Sequence, residues 1–403
     1  MLAEYTTRNG NTKVAGFPKP AHAARQETPE ERMHDELAWA RRNLFLAYPK
    51  LWLFQFMSGL PVVGSHIIWL SSSTRMIVNM LVLIGSVALS ATVYSIEGGW
   101  FVFLPSLAVV AAARWAQLVT VHIAAHAKPR QRMLLAAGHA LSALLLIEPF
   151  ACRGLGYAPK HNKDHHSPIK LATPSDPTYR FLTDYMGIRP GSPVRQNAWR
   201  LALNMLSAWT HGRVLIDRIK VNLTGSKFTQ VSTILQLCIW ASLIVAGAGQ
   251  VLMVAWILPI TLGFQLAQML RLPIEHRWRP ADKDTYKPHA LRRALTPVNH
   301  LTESSLSEGA NLTQRCTHCL RQALNLLLRI IVFPRDSSWG HAAHHERAFD
   351  IADGERAAYD FRCQLIAMGK PVNPVNWGYC AALLSFLRSV KSAAPAQKEL
   401  DDG

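Results

Sequence analysis

The chain has 403 residues, enough by length for one large domain or two smaller ones, and 49% of them are hydrophobic. A formal net charge of +17 at pH 7 would suggest nucleic acid as the partner of a soluble domain. Here the mean hydropathy of +0.08 averages over long apolar blocks and polar, basic stretches that carry most of the 17 histidines, so topology accounts for the charge and nucleic acid is not expected.

Residues 1–30 are polar and read as a loosely attached tail, and 31–46 suit a charged helix ending near Tyr48 and Pro49. No short apolar core follows a basic start, so a cleaved signal peptide is not expected. Residues 51–70 are apolar but broken by Gly59, Pro61 and Gly64, a pattern for two short interfacial helices. His66 within them is expected to be structural.

Two spanning blocks follow at 76–96 and 100–121, joined only by Glu97, Gly98 and Gly99. A second pair at 231–249 and 251–270 is joined at Gly247, Ala248, Gly249 and Gln250. Each block approaches or exceeds the roughly 20 residues that cross the hydrocarbon core. Neither connector carries Lys or Arg, whereas the other ends meet Arg75, the Lys128/Arg130/Arg132 group, Lys220 and the Arg271/Arg277/Arg279 group. The expectation is therefore four spans in two hairpins, with the basic ends and both termini cytoplasmic. Residues 133–150 could nearly cross as well. They must instead lie in the interface, or enter and return, if the histidines before and after them share a site. Residues 323–333 and 376–390 read as amphipathic helices rather than spans.

Four histidine clusters stand just beyond these blocks: His122 and His126; His161, His165 and His166; His276 beside Glu275; and His341, His344 and His345. Positions three or four apart share one helix face, so His122/His126, His161/His165 and His341/His344/His345 can each aim imidazoles into one cavity. Neutral imidazole suits transition metals such as iron, and the absence of a paired acidic pattern in the apolar blocks argues against a carboxylate-rich bundle site. His139 is expected to be a packing residue. Six scattered cysteines do not form a disulfide framework, and the CxHC at Cys316, His318 and Cys319 is at most half a zinc site.

These motifs resemble the membrane fatty acid desaturase superfamily over roughly residues 70–350. HIAAH (122–126), HNKDHH (161–166) and HAAHH (341–345) are similar to its three histidine boxes, and His276 in PIEHRW is similar to its supplementary ligand. The third box continues as HHERAFDI, and a long polar stretch fills 281–340; both depart from familiar acyl-lipid members. The resemblance implies an all-α integral membrane fold of four spans, with a cytoplasmic helical cap holding two Fe ions through His122, His126, His161, His165, His166, His276, His341, His344 and His345. Glu275, Asn162 and Asp176, with Asp164, are candidates for hydrogen bonds supporting those ligands, and Glu275 could alternatively bind iron itself. Trp115, Trp278 and Trp339 could line an acyl tunnel, or anchor the chain at the interface.

The implied division is a tail at 1–50, a catalytic membrane unit at 51–350 and a helical extension at 351–403, placed in a bacterial inner membrane. The implied activity is O2-dependent desaturation of a fatty-acyl or related lipid, with membrane alkyl hydroxylation as the alternative. Without a fused haem segment or four-cysteine cluster pattern, electrons should come from a separate ferredoxin, rubredoxin or cytochrome b5. A histidine-bearing transporter would instead place ligands throughout the spans.

Overall fold

The computed structural model describes residues 53, 56–57, 72–97, 101, 103–127, 131–147, 157–281, 287–303, 306, 309–333, 341, 345 and 373–393. The expectations for residues 1–50, for most of 51–70 including His66, for Trp339 and His344, and for the tail after 393 lie outside them. The chain is mostly helical, and three helical stretches are long and apolar enough to cross a membrane: Met76–Glu97, Phe103–Ala125 and Lys227–Glu275.

Helix α1 (Ser72–Glu97) exposes Ile77, Leu81 and Ile84, spaced as one helical face, while Asn79 on another face is buried and donates to Thr120 Oγ1 at 3.0 Å. An outer face of large aliphatic side chains and an inner face with a hydrogen-bonded polar pair suit a helix that faces lipid on one side and protein on the other. Helix α2 (Phe103–Trp115) runs on through the wider π turns of Ala116–Val121 into His122–Ala125. Its inner side is built from Ala112, Ala113 and Ala116, all buried, so neighbouring backbones approach closely.

The third stretch has 49 residues, which as one straight helix would measure about 74 Å, more than twice a bilayer core. Gly247 breaks it with φ +85° and ψ 0°, a left-handed conformation that costs glycine nothing. Before the break lies α3 (Lys227–Leu243), and the run ends in α4 (Phe264–Glu275). Tyr94, near the end of α1, donates to Gln250 Oε1 just after the break at 2.8 Å, and Ser106 of α2 donates to the Val254 carbonyl. The two connectors thus sit together at one end of the bundle, and His122 and His276 stand at the other.

Gly263 meets α2 where a Cβ would come within 2.5 Å of Val110 Cγ2. Valine has little χ1 freedom in a helix, so it cannot swing aside at low cost. Gly263→Ala is expected to destabilise the fold by about 1–3 kcal/mol through overpacking, seen as a lowered thermal midpoint in detergent. An unchanged midpoint would mean that the two helices are not in this contact.

The helix Arg132–Leu144 has 13 residues, about 20 Å, too short to cross, and it packs on the π turns of the second stretch. Downstream, the helices Pro177–Asp184, Val194–Leu206 and Ala208–Leu223 carry Leu182, Leu201 and Val214 into a core shared with Trp278 and Phe386. Trp278 stacks on Tyr179 at 4.4 Å and is 3% exposed, so its surroundings are those of a core residue. On the outside of the same helices, Trp199, Leu203, Leu206 and Trp209 are exposed.

One feature departs from an all-α expectation. Strands β1 (Val298–His300) and β2 (Val375–Trp377) pair in parallel, Asn299 opposite Asn376, and lead into a final helix α5 (Tyr379–Ser392). This helix buries Phe386, Leu387 and Val390 in the core of the cap rather than lying on a membrane face. The 323–333 segment belongs to a longer amphipathic helix, Leu312–Ile331, opened by an Asn311/Gln314 capping box.

Candidate metal centre

Four separate stretches of chain deliver eight histidines to one end of the bundle, in two groups. His122, His126, His161 and His166 form the first, and His165, His276, His341 and His345 the second; within each group the nearest ring nitrogens lie within 4.8 Å of one another. In the first, His161 Nε2 lies 3.0 Å from His122 Nε2, 3.1 Å from His126 Nε2 and 3.0 Å from His166 Nε2. In the second, His276 Nε2 lies 3.1 Å from both His165 Nε2 and His341 Nε2. The groups adjoin, since His166 stacks on His345 at 4.4 Å and His161 on His165 at 5.2 Å.

Local backbone geometry decides the partition. His122 and His126 are four apart at the end of the second stretch and share a face, as do His341 and His345. The expected pairing of His161 with His165 does not hold. Residues His161–His165 form a π turn, in which His166 N bonds to the His161 carbonyl, so the partner of His161 is the fifth residue on, and His165 turns to the other group.

His276 leaves α4 in an extended conformation, φ −135° and ψ 141°. Its neighbours are fixed by backbone bonds: Arg277 N to the Leu295 carbonyl, Trp278 N to Ser389 Oγ, and the Ile274 carbonyl to Asn299 Nδ2. Asn299 is itself held by Asn376 across the β1–β2 ladder.

The candidate supporting residues divide. Asp176 is 1% exposed; its Oδ1 accepts from His165 Nδ1 at 3.0 Å and its Oδ2 from Ala172 N, while it also caps the following helix at Thr178 N. This orients His165 with Nε2 toward the second group. Glu275 is buried and ion-paired with Arg271, and its Oε1 stands 3.9 Å from His341 Nδ1. Asn162 donates to the Ala125 carbonyl at 2.7 Å, tying the second histidine segment to the end of the first. Asp164 instead pairs with Lys170 at the surface. His139 packs its ring on Phe228, away from both groups, and Cys316 and Cys319 are exposed and belong to no metal-competent group among the described residues.

The donor chemistry fits metal ions. Each group offers four converging imidazoles, with no carboxylate among them. Burial favours the neutral form that ligates: it holds His161, His341 and His345 well below the ordinary imidazole range, His126 at about 4 and His276 at about 3. His165 is opposite in sign. Burial pulls it down, but the charge and hydrogen bond of Asp176 outweigh that and leave its pKa raised.

No family model matches the chain, and neither a curated protein nor a solved structure matches it.

Those depressed pKa values have a consequence for the metal-free protein. A histidine neutral when folded but ordinary when unfolded stabilises the fold above about pH 6.5 and loses that contribution as pH falls toward its folded value. Metal-free protein should lose thermal stability from pH 6.5 down to about 4, the value for His126. A midpoint constant over that window would contradict the buried, neutral cluster.

Two buried arginines and the half-buried Arg218 were not singled out as functional residues by the sequence pattern. Arg114 and Arg271 lie in the apolar stretches, and Arg218 donates to the carbonyls of Leu145 and Leu146, ending the Arg132–Leu144 segment. An isolated arginine has no spacing that announces a role.

Proposed function

We propose that the protein is a membrane di-iron oxidase that uses O2 and external electrons to desaturate a fatty-acyl or related lipid chain. The observation that carries this reading is the meeting of eight imidazoles from four distant stretches, as two adjoining groups, where helices of membrane-spanning length end. Joining the two groups in one centre supports keeping His122, His126 and His161 on one side of the bilayer, with Arg132–Leu144 at the interface. The break at Gly247 and the Tyr94–Gln250 bond support four spans in two hairpins. Basic residues near the opposite ends support a cytoplasmic centre.

The donor set suits iron: each group brings four imidazoles together with no carboxylate, and neutral imidazole nitrogen is a good iron ligand. When bound, such iron would supply the O2 activation needed to oxidise an unactivated C–H bond. The chain's own residues do the rest. Four imidazoles per group hold position without adding negative charge, Asp176 fixes the orientation of His165, and burial keeps water from the centre. The substrate and a ferredoxin, rubredoxin or cytochrome b5 donor follow from the same reading.

Membrane alkyl hydroxylation shares this core, and the product separates the two. Expression with compatible electron donors, followed by lipid mass spectrometry, should show a chain lighter by two hydrogens. A chain gaining one oxygen would replace desaturation with hydroxylation, and products identical to those of cells lacking the protein would remove both.

A further inference from the structure

The middle of the second stretch carries a charge. Arg114 is the central residue of Phe103–Ala125, is 0% exposed, and lies eight residues before His122, about 12 Å along the axis on the bilayer side of the centre. Charges at such depth are retained where they act, and they face the protein interior.

Its surroundings do not neutralise it. The guanidinium lies over the Phe264 ring at 5.2 Å, with Arg218 over the same ring at 5.4 Å, and Nη1 donates to Gln117 Oε1. Nε and Nη2 are buried and make no hydrogen bond to any described residue. Glu275 is ion-paired with Arg271, another buried arginine of the bundle, so among the described residues Arg114 has no ion pair of its own. Glu275 in turn stands 3.9 Å from His341, so this charged layer lies directly beneath the second histidine group. Burying an unpaired guanidinium with two idle donors is costly unless a partner oxygen arrives.

We infer that Arg114, with Gln117 beside it and Phe264 as an apolar floor, receives an oxygen atom carried by the substrate on the bilayer side of its reacting carbon. The substrate is then an alkyl chain bearing a hydroxyl, carbonyl or carboxylate in its distal part, rather than a plain saturated tail. This rests on the oxidase reading, in which the chain threads past the histidines into the bundle. Arg114 would select and position; it does not touch the reacting carbon.

The test is binding rather than turnover. Tritiated methyl palmitate and analogues with a hydroxyl moved along the distal half of the chain are partitioned between empty detergent micelles and micelles holding the purified, iron-loaded protein, without reductant. The methyl ester removes the headgroup carboxylate as a competing partner. At least one hydroxylated ester should bind about 10- to 100-fold more tightly than methyl palmitate, the gain expected from a hydrogen bond to a charged donor. Arg114→Gln should abolish that preference while leaving methyl palmitate unchanged, and Arg114→Lys should retain part of it. Equal binding of all esters by the unaltered protein overturns the inference, even if Arg114→Gln does not fold; so does a preference that survives Arg114→Gln. Because no reaction occurs, a wrong assignment of desaturation leaves this result unaffected. A normal desaturation product with no binding preference would remove this inference alone.

Discussion

His161→Ala is expected to remove the metal of the first group and to lower product formation by at least about 100-fold, more than the loss of a mere orienting partner would cause. Three of the close Nε2 contacts of that group converge on His161, so no other ligand there can compensate. His345→Ala should act in the same way on the second group. Iron analysis of purified protein should fall from two ions per chain toward one in each variant, and far-ultraviolet circular dichroism should show the helices intact. Two full equivalents of iron in His161→Ala would show that the eight imidazoles are not the ligands.

The second large effect is expected at a residue outside both groups. In Asp176→Asn the shape is kept, but one oxygen becomes an NH2. Asp176 accepts from His165 Nδ1, Ala172 N and Thr178 N, three donors shared between two oxygens. An amide facing any of them sets donor against donor. If the amide oxygen stays on His165, the turn at Ala172 is strained; if it rotates, His165 loses its orientation. Competition with a chelator should show affinity reduced about 10- to 100-fold for one ion and unchanged for the other. Equal weakening of both ions would point to general unfolding of the cap, and no weakening would remove Asp176 from the support of the centre.

The histidines were legible because ligation demands one residue type at helical spacing, and His122/His126 and His341/His345 do share groups as that spacing implies. The partner of His161 was not legible. A π turn moves the matching position from the fourth residue to the fifth, and nothing in HNKDHH distinguishes the two windings. The Gly247 turn could be read from a small-residue connector lacking charge. The β1–β2 pair could not, because three residues per strand are too few to show alternation and their partners lie far apart in sequence. Arg114 was visible only as a blemish in an apolar block; that it shares the Phe264 ring with Arg218 emerges only once the helices are assembled.

The order of biosynthesis follows from how the supplementary histidine is held. Trp278, two positions after His276, depends on a hydroxyl 111 residues further along, and the strand that braces Asn299 is likewise translated late. A nascent chain that had emerged only as far as the fourth histidine cluster would own every imidazole yet lack the brace for one of them. The second group is therefore expected to be complete only once the chain through Ser389 has folded, and a stop codon placed after residue 350 should leave that group unable to mature.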